Sequence, residues 1–354
     1  MNESVIDLLK SMIATPSFSR EEGAVADIIE KYFLSLEVKS NRHGNNLWVK
    51  NTYFDSKKET ILLNSHIDTV KPSSSYSVDP FTPTIQDGKL YGLGSNDAGG
   101  SLVSLLSTFM HFKDRTDLRF NLVFAASAEE EVSGVNGIES LLPIFATEIG
   151  AIMGAIVGEP TSMQMAVAEK GLLVLDCQAL GRAGHAAREE GDNAIYKALN
   201  DIVWFRDFRF DQVSPLLGPN KMSVTIVNAG TQHNVVPREC NFTVDVRVNE
   251  LYDFETVLSQ IRSKVTCEVK PRSTRIKSTS ISMDHPLVKA GLSLGLPHYG
   301  SPTTSDKALM PFPALKIGPG DSSRSHTADE FIFLDQIKEG IEIYISLLEK
   351  VLVS

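Results

Sequence analysis

The segment "AASAEEEVSG", residues 125–134, places three carboxylates side by side directly after small and apolar residues. Neighbouring negative charges repel, and each raises the pKa of the next. Two interpretations account for Glu129, Glu130 and Glu131. Ser127 and Glu130 have the spacing of a capping box, which predicts the start of a helix with an acidic first turn. Alternatively, a multivalent cation offsets the repulsion, and further ligands must then come from elsewhere in the chain.

Histidines and carboxylates also follow other predicted strands. His66 comes after "ILLNS", with Asp68 two residues later, and Glu159 comes after "AIVG". Asp97 follows "LYGLGSN", and His326 lies in the loop after "PALKIG". In open α/β sheets, ligands bind outside the carboxyl ends of the strands. Two histidines with three or more carboxylates suit a divalent metal, zinc first, and supply enough ligands for two ions.

Each of these residues also has an ordinary structural explanation. His66 could be a buried histidine that is hydrogen-bonded to Asp68, and Asp97 could cap the helix that follows it. Glu159 could be a turn residue at a strand end, and His326 could simply be exposed in its loop. Their shared placement after predicted strands weakens these separate explanations but leaves them open.

The elements that must position these residues alternate between strand and helix over about the first 165 residues. The segments "ETILLNSH", "RFNLVFAAS" and "GAIMGAIVGEP" predict strands, and "GSLVSLLSTFMHF" predicts a helix between the first two. Such alternation is typical of βαβ units. We therefore expect an α/β fold, with a mostly parallel twisted sheet flanked by helices.

From about residue 170 the predicted order changes to β-α-β-β-α-β, which is the split ferredoxin-like unit. After the polar segment "PRSTRIKSTS" the earlier alternation resumes. The sequence thus predicts a discontinuous catalytic, metal-binding domain over residues 1–168 and 279–354. Residues 169–278 are predicted to form an inserted ferredoxin-like α+β lid domain.

Composition excludes several classes of function. The chain has 354 residues and 42% hydrophobic content, enough for two domains. Its net charge of −10 argues against nucleic-acid binding, which needs a basic surface, and predicts no membrane partner. No signal peptide or long apolar stretch is recognisable. Three cysteines without CxxC spacing suit a reducing compartment, so we expect a cytoplasmic protein.

Five segments together resemble the ordered metal motifs of one metallopeptidase family: "SHIDTV", "GLGSNDAGG", "SAEEEVSG", "VGEPT" and "GPGDSSRSHTADE". That family contains aminoacylase, acetylornithine deacetylase, succinyl-diaminopimelate desuccinylase and related di-zinc exopeptidases. The resemblance covers almost the whole chain, including the inserted lid. It implies two zinc ions per chain, with cobalt able to substitute, and a homodimer formed through the lid domain.

The resemblance also implies a role for each residue at the sheet edge. It implies five metal ligands: Asp97 bridging both ions, His66 and Glu159 on one ion, and Glu131 and His326 on the other. Asp68 would orient His66, and Glu130 would be the general base that passes a proton from water to the leaving amine. The family usually has Asp-Glu-Glu at this point, so Glu129 is a departure, and we assign it no role.

In the lid, the resemblance implies three further site residues. His185, in "GRAGHAA", would donate a hydrogen bond to the oxyanion, either within its own chain or across a dimer interface. Asn234 and Arg247 would bind the carboxylate of the substrate. The alternative for Arg247 is an exposed strand residue paired with a neighbouring acid. The proline that the family commonly has downstream of His185 is absent, which concerns the geometry of the local loop and not the role of His185.

The family acts on N-acyl amino acids and small peptides. Asp97 is followed by "AGG" rather than the Met-Lys-Gly-like segment of diaminopimelate-pathway members, whereas the length and the "TSDKA" segment resemble acetylornithine and acetyl-lysine deacetylases. The leading hypothesis is hydrolysis of N2-acetylornithine, or of a close acyl-ornithine or acyl-citrulline relative, in arginine biosynthesis. The alternatives are a succinyl-diaminopimelate desuccinylase, a dipeptidase or general aminoacylase, and a catalytically inactive ligand-binding relative. The presence of Glu130 with all five ligands argues against the last.

Overall fold

A computed structural model describes residues 2–188 and 190–353. The chain divides into two compact units. The first comprises Met1–Val167, Ile281–Tyr299 and Ser305–Ser354, and the second comprises Ala168–Ser280 and Gly300–Thr304. The two main boundaries lie within two residues of those that the sequence predicts. Residues 300–304, which the sequence assigns to the first domain, belong to the second unit.

The helices and strands are numbered in chain order. The helices are α1 (Asn2–Ile13), α2 (Gly23–Ser35), α3 (Gly100–Phe112), α4 (Ile138–Glu148), α5 (Ala194–Asp207), α6 (Phe254–Arg262), α7 (Pro286–Ser293) and α8 (Leu334–Leu352). The strands are β1 (Asn41–His43), β2 (Asn46–Lys50), β3 (Thr60–His66), β4 (Thr84–Gln86), β5 (Lys89–Tyr91), β6 (Asn121–Ser127), β7 (Ile152–Val157), β8 (Met165–Glu169), β9 (Gly171–Leu180), β10 (Gly184–His185), β11 (Lys221–Ala229), β12 (Val235–Val236), β13 (Glu239–Val248), β14 (Glu268–Pro271), β15 (Thr279–Ser280), β16 (His298–Ser301), β17 (Ala314–Lys316) and β18 (Phe331–Phe333).

The main sheet of the first unit runs in the order β1-β2-β6-β3-β7-β17-β8. Its four central strands, β6, β3, β7 and β17, are parallel to one another. The flanking strands β1, β2 and β8 are antiparallel to their neighbours, so the sheet is mixed rather than uniformly parallel. One reason is local: β1 and β2 are joined by a two-residue turn in which Gly44 takes a φ of 59°, and so tight a turn makes an antiparallel pair.

The central strands are buried on both faces. Every residue of β3 and of β6 is buried, and each strand contains an apolar run, Ile61–Leu63 in β3 and Leu122–Ala126 in β6. Helix α3 is buried over most of its circumference, as expected for a helix that is apolar on nearly all sides. The α/β fold class that the sequence predicts is confirmed. A small sheet of order β18-β5-β4, also in the first unit, is not predicted by the sequence.

The second unit contains β9, α5, β11, β13, α6 and β14 in the predicted order, and its antiparallel sheet runs β11-β13-β9-β14. Along β9, buried residues alternate with less buried ones, so that one face of the sheet packs on its core. The side chains of Asn193 and Asp253 cap the starts of α5 and α6. A two-stranded arm formed by β10 and β12 is an addition that the sequence does not predict.

Across residues 2–188 and 190–353, none of the helices has the length and apolar character needed to cross a membrane.

Candidate metal centre

Several of the predicted site residues lie at one edge of the sheet, at or just after the carboxyl ends of the parallel strands. His66 is the last residue of β3 and lies opposite Ser127, the last residue of β6. Glu130 follows β6 by three residues, and Glu159 follows the end of β7 by two. His326 lies in the segment after β17. Because parallel strands end at the same edge of a sheet, residues far apart in the sequence meet there.

His66 is buried and held in one orientation. Its Nδ1 lies 2.9 Å from the backbone oxygen of Asp68, so Nδ1 carries the proton in the neutral ring and donates a hydrogen bond to that oxygen. Nε2 is within hydrogen-bonding distance of Oδ1 of Asp97, at 3.3 Å, and lies 4.0 Å from Oε1 of Glu159; in the neutral ring Nε2 has the lone pair that a metal would take. A histidine whose second nitrogen is fixed by a carbonyl is the usual arrangement of a metal ligand.

The Asp68 carboxylate is buried and connects three segments. It accepts hydrogen bonds from the hydroxyl of Ser19 at 2.7 Å and from the backbone N–H groups of Glu130 at 3.0 Å and Glu131 at 3.1 Å. Burial raises the pKa of Asp68, but its interactions with His66 and Ser19 outweigh that effect and lower it. Asp68 therefore remains ionised and fixes the backbone of two glutamates beside His66.

The three adjacent glutamates point to different partners. Glu129 has a left-handed φ of 56°, and its carboxylate accepts a hydrogen bond from Nδ2 of Asn136 at 2.8 Å, on the far side of the loop. Glu131 accepts from His326, whose Nε2 lies 2.9 Å from Oε2 of Glu131. Glu130 lies close to His66 and Glu159.

The structure does not support a helix start at this segment. Glu130–Val132 forms a single 3₁₀ turn, and the next α-helix, α4, begins only at Ile138. Ser127 does not act as a cap: its hydroxyl donates to Asp306 at 2.6 Å. The capping-box interpretation of the glutamates is therefore wrong.

Asp97 is not the cap of α3 either. It lies in the turn Ser95–Gly99, and the residue that precedes α3 is Gly99, which has no side chain to donate or accept. Oδ2 of Asp97 is 3.8 Å from Nε2 of His326, while Oδ1 faces His66. Asp97 thus lies between the two histidines, as a bridging ligand must.

Two sets of side chains are close enough to share one ion each. His66, Asp97 and Glu131 form one set, and His66, Glu130 and Glu159 form the other, with ligand atoms within 4.8 Å of one another in each. These nitrogen and oxygen donors fit a divalent metal such as zinc. The grouping differs from the implied one: Glu130 belongs to the same set as His66 and Glu159, and His326 joins through its contacts with Glu131 and Asp97.

The protonation equilibria reflect this crowding. Burial raises the pKa of Glu159 to about 8 and that of Glu130 well above its usual range, and the nearby carboxylates add to both shifts. Burial likewise raises the pKa of Glu131. The hydrogen bond to Glu131 raises the pKa of His326 to about 9. Protonation of these carboxyl groups neutralises negative charge that a bound divalent cation would also neutralise.

The three predicted lid residues all lie in the second unit. β10 pairs with β12, so His185 lies opposite Val235, and the backbone N–H of Ala186 donates to the backbone oxygen of Asn234 at 3.0 Å. These contacts bring His185 and Asn234 close together. Arg247, on β13, is elsewhere in the unit and forms two hydrogen bonds, 2.8 and 3.0 Å long, with Asp245. This pairing is the alternative that the sequence leaves open for Arg247.

Sequence reasoning missed two buried carboxylates near the site. Glu330 accepts hydrogen bonds from the backbone around Asp97, and burial raises its pKa to about 7. Asp306 accepts from Ser127 and from Asn64, one residue on each of two central strands. In the sequence both resemble ordinary polar loop residues. Two signals were present in the sequence: Glu330 is the last residue of the motif "GPGDSSRSHTADE", and Asp306 lies within "TSDKA".

Comparison with known proteins agrees with the motif resemblance. Acetylornithine deacetylase from Proteus mirabilis is 27% identical over 98% of this chain and 90% of its own length. Succinyl-diaminopimelate desuccinylase from Stenotrophomonas maltophilia is 25% identical over 99% of this chain and all of its own length.

Two solved structures share the fold. An M20 family metallo-carboxypeptidase from Sulfolobus solfataricus superposes with a TM-score of 0.79, at 18% identity, over 99% of both chains. A Bacillus subtilis protein described as a dinuclear metal-binding peptidase of the M20 family has a TM-score of 0.74 at 15% identity, over 99% of this chain and 98% of its own.

The sequence profile of peptidase family M20/M25/M40 matches residues 62–350, well over half of the chain. That span contains every metal-ligand candidate named above and His185, Asn234 and Arg247 of the second unit. Curated relatives align over nearly the whole chain, and their names describe enzymes that remove acyl groups. The protein therefore belongs to peptidase family M20/M25/M40 and is an enzyme, a metal-dependent hydrolase.

Proposed function

We propose that the protein is a di-zinc amide hydrolase that converts N2-acetylornithine to ornithine and acetate. The observation that supports this proposal most directly is the meeting of His66, Asp97, Glu131, Glu159 and His326 around Glu130 at one edge of the sheet. When bound there, two zinc ions would polarise the acyl oxygen and lower the pKa of water. Cobalt, which takes similar ligands, is expected to substitute.

Glu130 is the proposed general base. Burial and neighbouring carboxylates raise the pKa of its carboxyl, which suits a group that must both take up and release a proton near neutral pH. Its backbone is held by Asp68, so its side chain can face the substrate while Glu131 next to it faces His326. In this proposal Glu130 takes the proton from water and delivers it to the leaving amine.

His185 is the proposed oxyanion donor. The backbone N–H of Ala187 donates to Nδ1 of His185 at 3.1 Å, so Nδ1 is the acceptor, and the proton of the neutral ring lies on Nε2. Nε2–H is then available to donate to a developing negative charge. Asn234, held beside His185, and Arg247 remain the proposed contacts for the substrate's carboxylate. Arg247 would have to share its guanidinium between that carboxylate and Asp245.

We also propose that the protein acts as a cytoplasmic homodimer in arginine biosynthesis. The second unit offers a surface for pairing: Tyr196, Leu199 and Val203 lie along one face of α5 and are exposed. Ile226 and Val227 on the edge strand β11 are also exposed.

A panel of acyl amino acids tests the substrate. The zinc- or cobalt-loaded protein would be assayed with N2-acetylornithine, N2-acetylcitrulline, N-succinyl-diaminopimelate and an unmodified dipeptide. We expect release of ornithine from acetylornithine at the highest kcat/KM. Rapid turnover of succinyl-diaminopimelate without turnover of acetylornithine would instead support the desuccinylase alternative, the activity named for a relative that covers 99% of this chain. Comparable rates on dipeptides would indicate a general aminoacylase or dipeptidase.

A further inference from the structure

The buried carboxylate of Glu330 holds the loop that carries Asp97. Its Oε1 accepts hydrogen bonds from the backbone N–H groups of Asn96 and Asp97, both at 2.8 Å. Its Oε2 accepts from the backbone N–H of Gly94 at 3.0 Å. Three backbone donors thus meet one buried carboxylate, and hydrogen bonds to its ionised form are stronger than neutral ones. The position of Asp97 is therefore set largely by Glu330.

Asn96 connects the same loop to the segment that carries His326. Its Nδ2 donates to the backbone oxygen of Asp321 at 3.1 Å, and its Oδ1 accepts from the backbone N–H of Asp321 at 2.9 Å. His326 follows Asp321 by five residues and precedes Glu330 by four. The segment 321–330 is thus attached to the loop 94–97 at both of its ends, with His326 between the two attachments.

We propose that Glu330 and Asn96 are positioning residues that hold Asp97 and His326 together as ligands of one metal ion. The inference rests on the proposed dinuclear function and deepens it. Neither side chain would touch the ion; each would act through the backbone of a ligand's loop. Outer contacts of this kind typically contribute about 10–100-fold to metal affinity. The competing explanation is that the two side chains only stabilise a buried loop.

The test compares three variants with the parent. Glu330→Gln keeps the size of the side chain but turns an NH₂ group towards at least one backbone N–H donor, and Asn96→Ala removes both bonds to Asp321. Asp329→Asn is the matched control. It removes the same charge one residue away, where the carboxylate accepts hydrogen bonds from the backbone N–H of Ser77 at 2.8 Å and from the Ser77 hydroxyl at 2.6 Å.

The readouts are the number and affinity of bound zinc ions, titrated against a competing chelator, and the visible absorption of the cobalt-loaded protein. We expect E330Q and N96A to bind the weaker ion about 10–100-fold less tightly and to alter the cobalt spectrum. D329N should match the parent in both. With substrate, kcat should fall in E330Q while KM stays unchanged, because the substrate contacts are intact.

Two results would overturn the inference. One is parent-like zinc affinity and cobalt spectrum in both variants, even with a lowered Tm, since that is the signature of a purely structural role. The other is an equal loss in D329N, which would indicate a general effect of charge. Should E330Q fail to fold, N96A alone decides by the same criteria. None of the metal readouts needs a substrate, so inactivity of the parent on acetylornithine would count only against the proposed function.

Discussion

Adjacent side chains of one type take separate positions when their backbones are fixed. The Asp68 carboxylate accepts hydrogen bonds from the backbone N–H groups of both Glu130 and Glu131. Glu129 has a left-handed φ, and its side chain is directed towards Asn136. Glu129 thus provides a natural comparison for Glu130. It has the same chemistry and lies one residue away, but its carboxylate is occupied elsewhere.

Glu130→Gln should lower kcat by about 10²–10⁴-fold, because an amide cannot accept and release the proton. Metal content should stay near two ions per chain, measured by elemental analysis of the same preparation used for kinetics. Glu129→Gln is the control and should keep nearly the activity of the parent. Equal hydrolysis by E130Q and the parent would show that the assigned base is wrong.

Metal affinity should rise with pH. Burial raises the pKa of Glu159 to about 8 and the hydrogen bond to Glu131 raises that of His326 to about 9, so both groups hold protons at neutral pH unless a metal displaces them. Metal binding must displace these protons, and each one released weakens apparent affinity about tenfold per pH unit below its pKa. Chelator competition at pH 6, 7 and 8 should therefore give progressively tighter binding. Calorimetry in buffers of different ionisation enthalpy should detect the released protons; the same affinity at pH 6 and pH 8 would contradict the expectation.

At the scale of elements, the long buried segments were predictable and the short ones were not. The apolar run "GSLVSLLSTFMHF" coincides with α3, and "LDQIKEGIEIYISLLEKVL" coincides with α8. The strands β4, β10, β12 and β18 have two or three residues each. Strands this short carry no measurable periodicity, and their partners are distant in the sequence, so only the folded chain defines them.

The same contrast applies to the site. Residues after buried strands could be predicted because a strand end fixes their location, which holds for His66, Glu130 and Glu159. The role of Glu330 could not be predicted, because its partners are backbone N–H groups that have no sequence signature. The role of Asp306 could not be predicted either, because its partners Asn64 and Ser127 precede it by 242 and 179 residues.

Asp306→Ala should destabilise the central sheet. The carboxylate accepts from Asn64 on β3 at 2.8 Å and from Ser127 on β6 at 2.6 Å, so its removal takes this acceptor from the buried Ser127 hydroxyl and leaves Asn64 Nδ2 with its 3.2 Å bond to Ser127. We expect a loss of about 3 kcal/mol and a Tm lower by about 5–10 °C. Asp306→Asn, which keeps one acceptor oxygen, should lose less.

The surface substitution Asp114→Asn provides the matched control for the calorimetry of Asp306→Ala. Asp114 also accepts a short hydrogen bond, 2.6 Å from the Thr52 hydroxyl, but it is exposed. Its loss should change stability by no more than about 0.5 kcal/mol. Equal Tm values for D306A and D114N would refute the role given to Asp306.

At the scale of the whole molecule, the exposed apolar face of α5 is the feature that bears on assembly. Tyr196 is 69% exposed and Leu199 is 53% exposed, and they lie on the same side of the helix. A single exposed apolar residue is ordinary, whereas a row of them beside an edge strand is typical of a pairing surface.

Leu199→Glu should convert a dimer to a monomer, since it places a charge in the middle of that face. Light scattering coupled to size exclusion should give twice the chain mass for the parent and the chain mass for the variant. Leu34→Glu is the control: Leu34 is 74% exposed on α2, in the first unit, and its replacement should leave the mass unchanged. A monomeric parent would refute the proposed homodimer.

The chain enters and leaves the second unit on neighbouring strands. Glu169 and Ala168 at the end of β8 pair with Thr279 and Ser280 of β15, in antiparallel register. Two such ends can be closed by a turn of a few residues, so the whole insertion can be exchanged for a short hairpin. The shortened chain would keep every proposed ligand of the two zinc ions. We expect it to bind zinc, which elemental analysis can verify, and to lose the ability to cleave an amide. Binding and catalysis would then be physically separable pieces of one polypeptide.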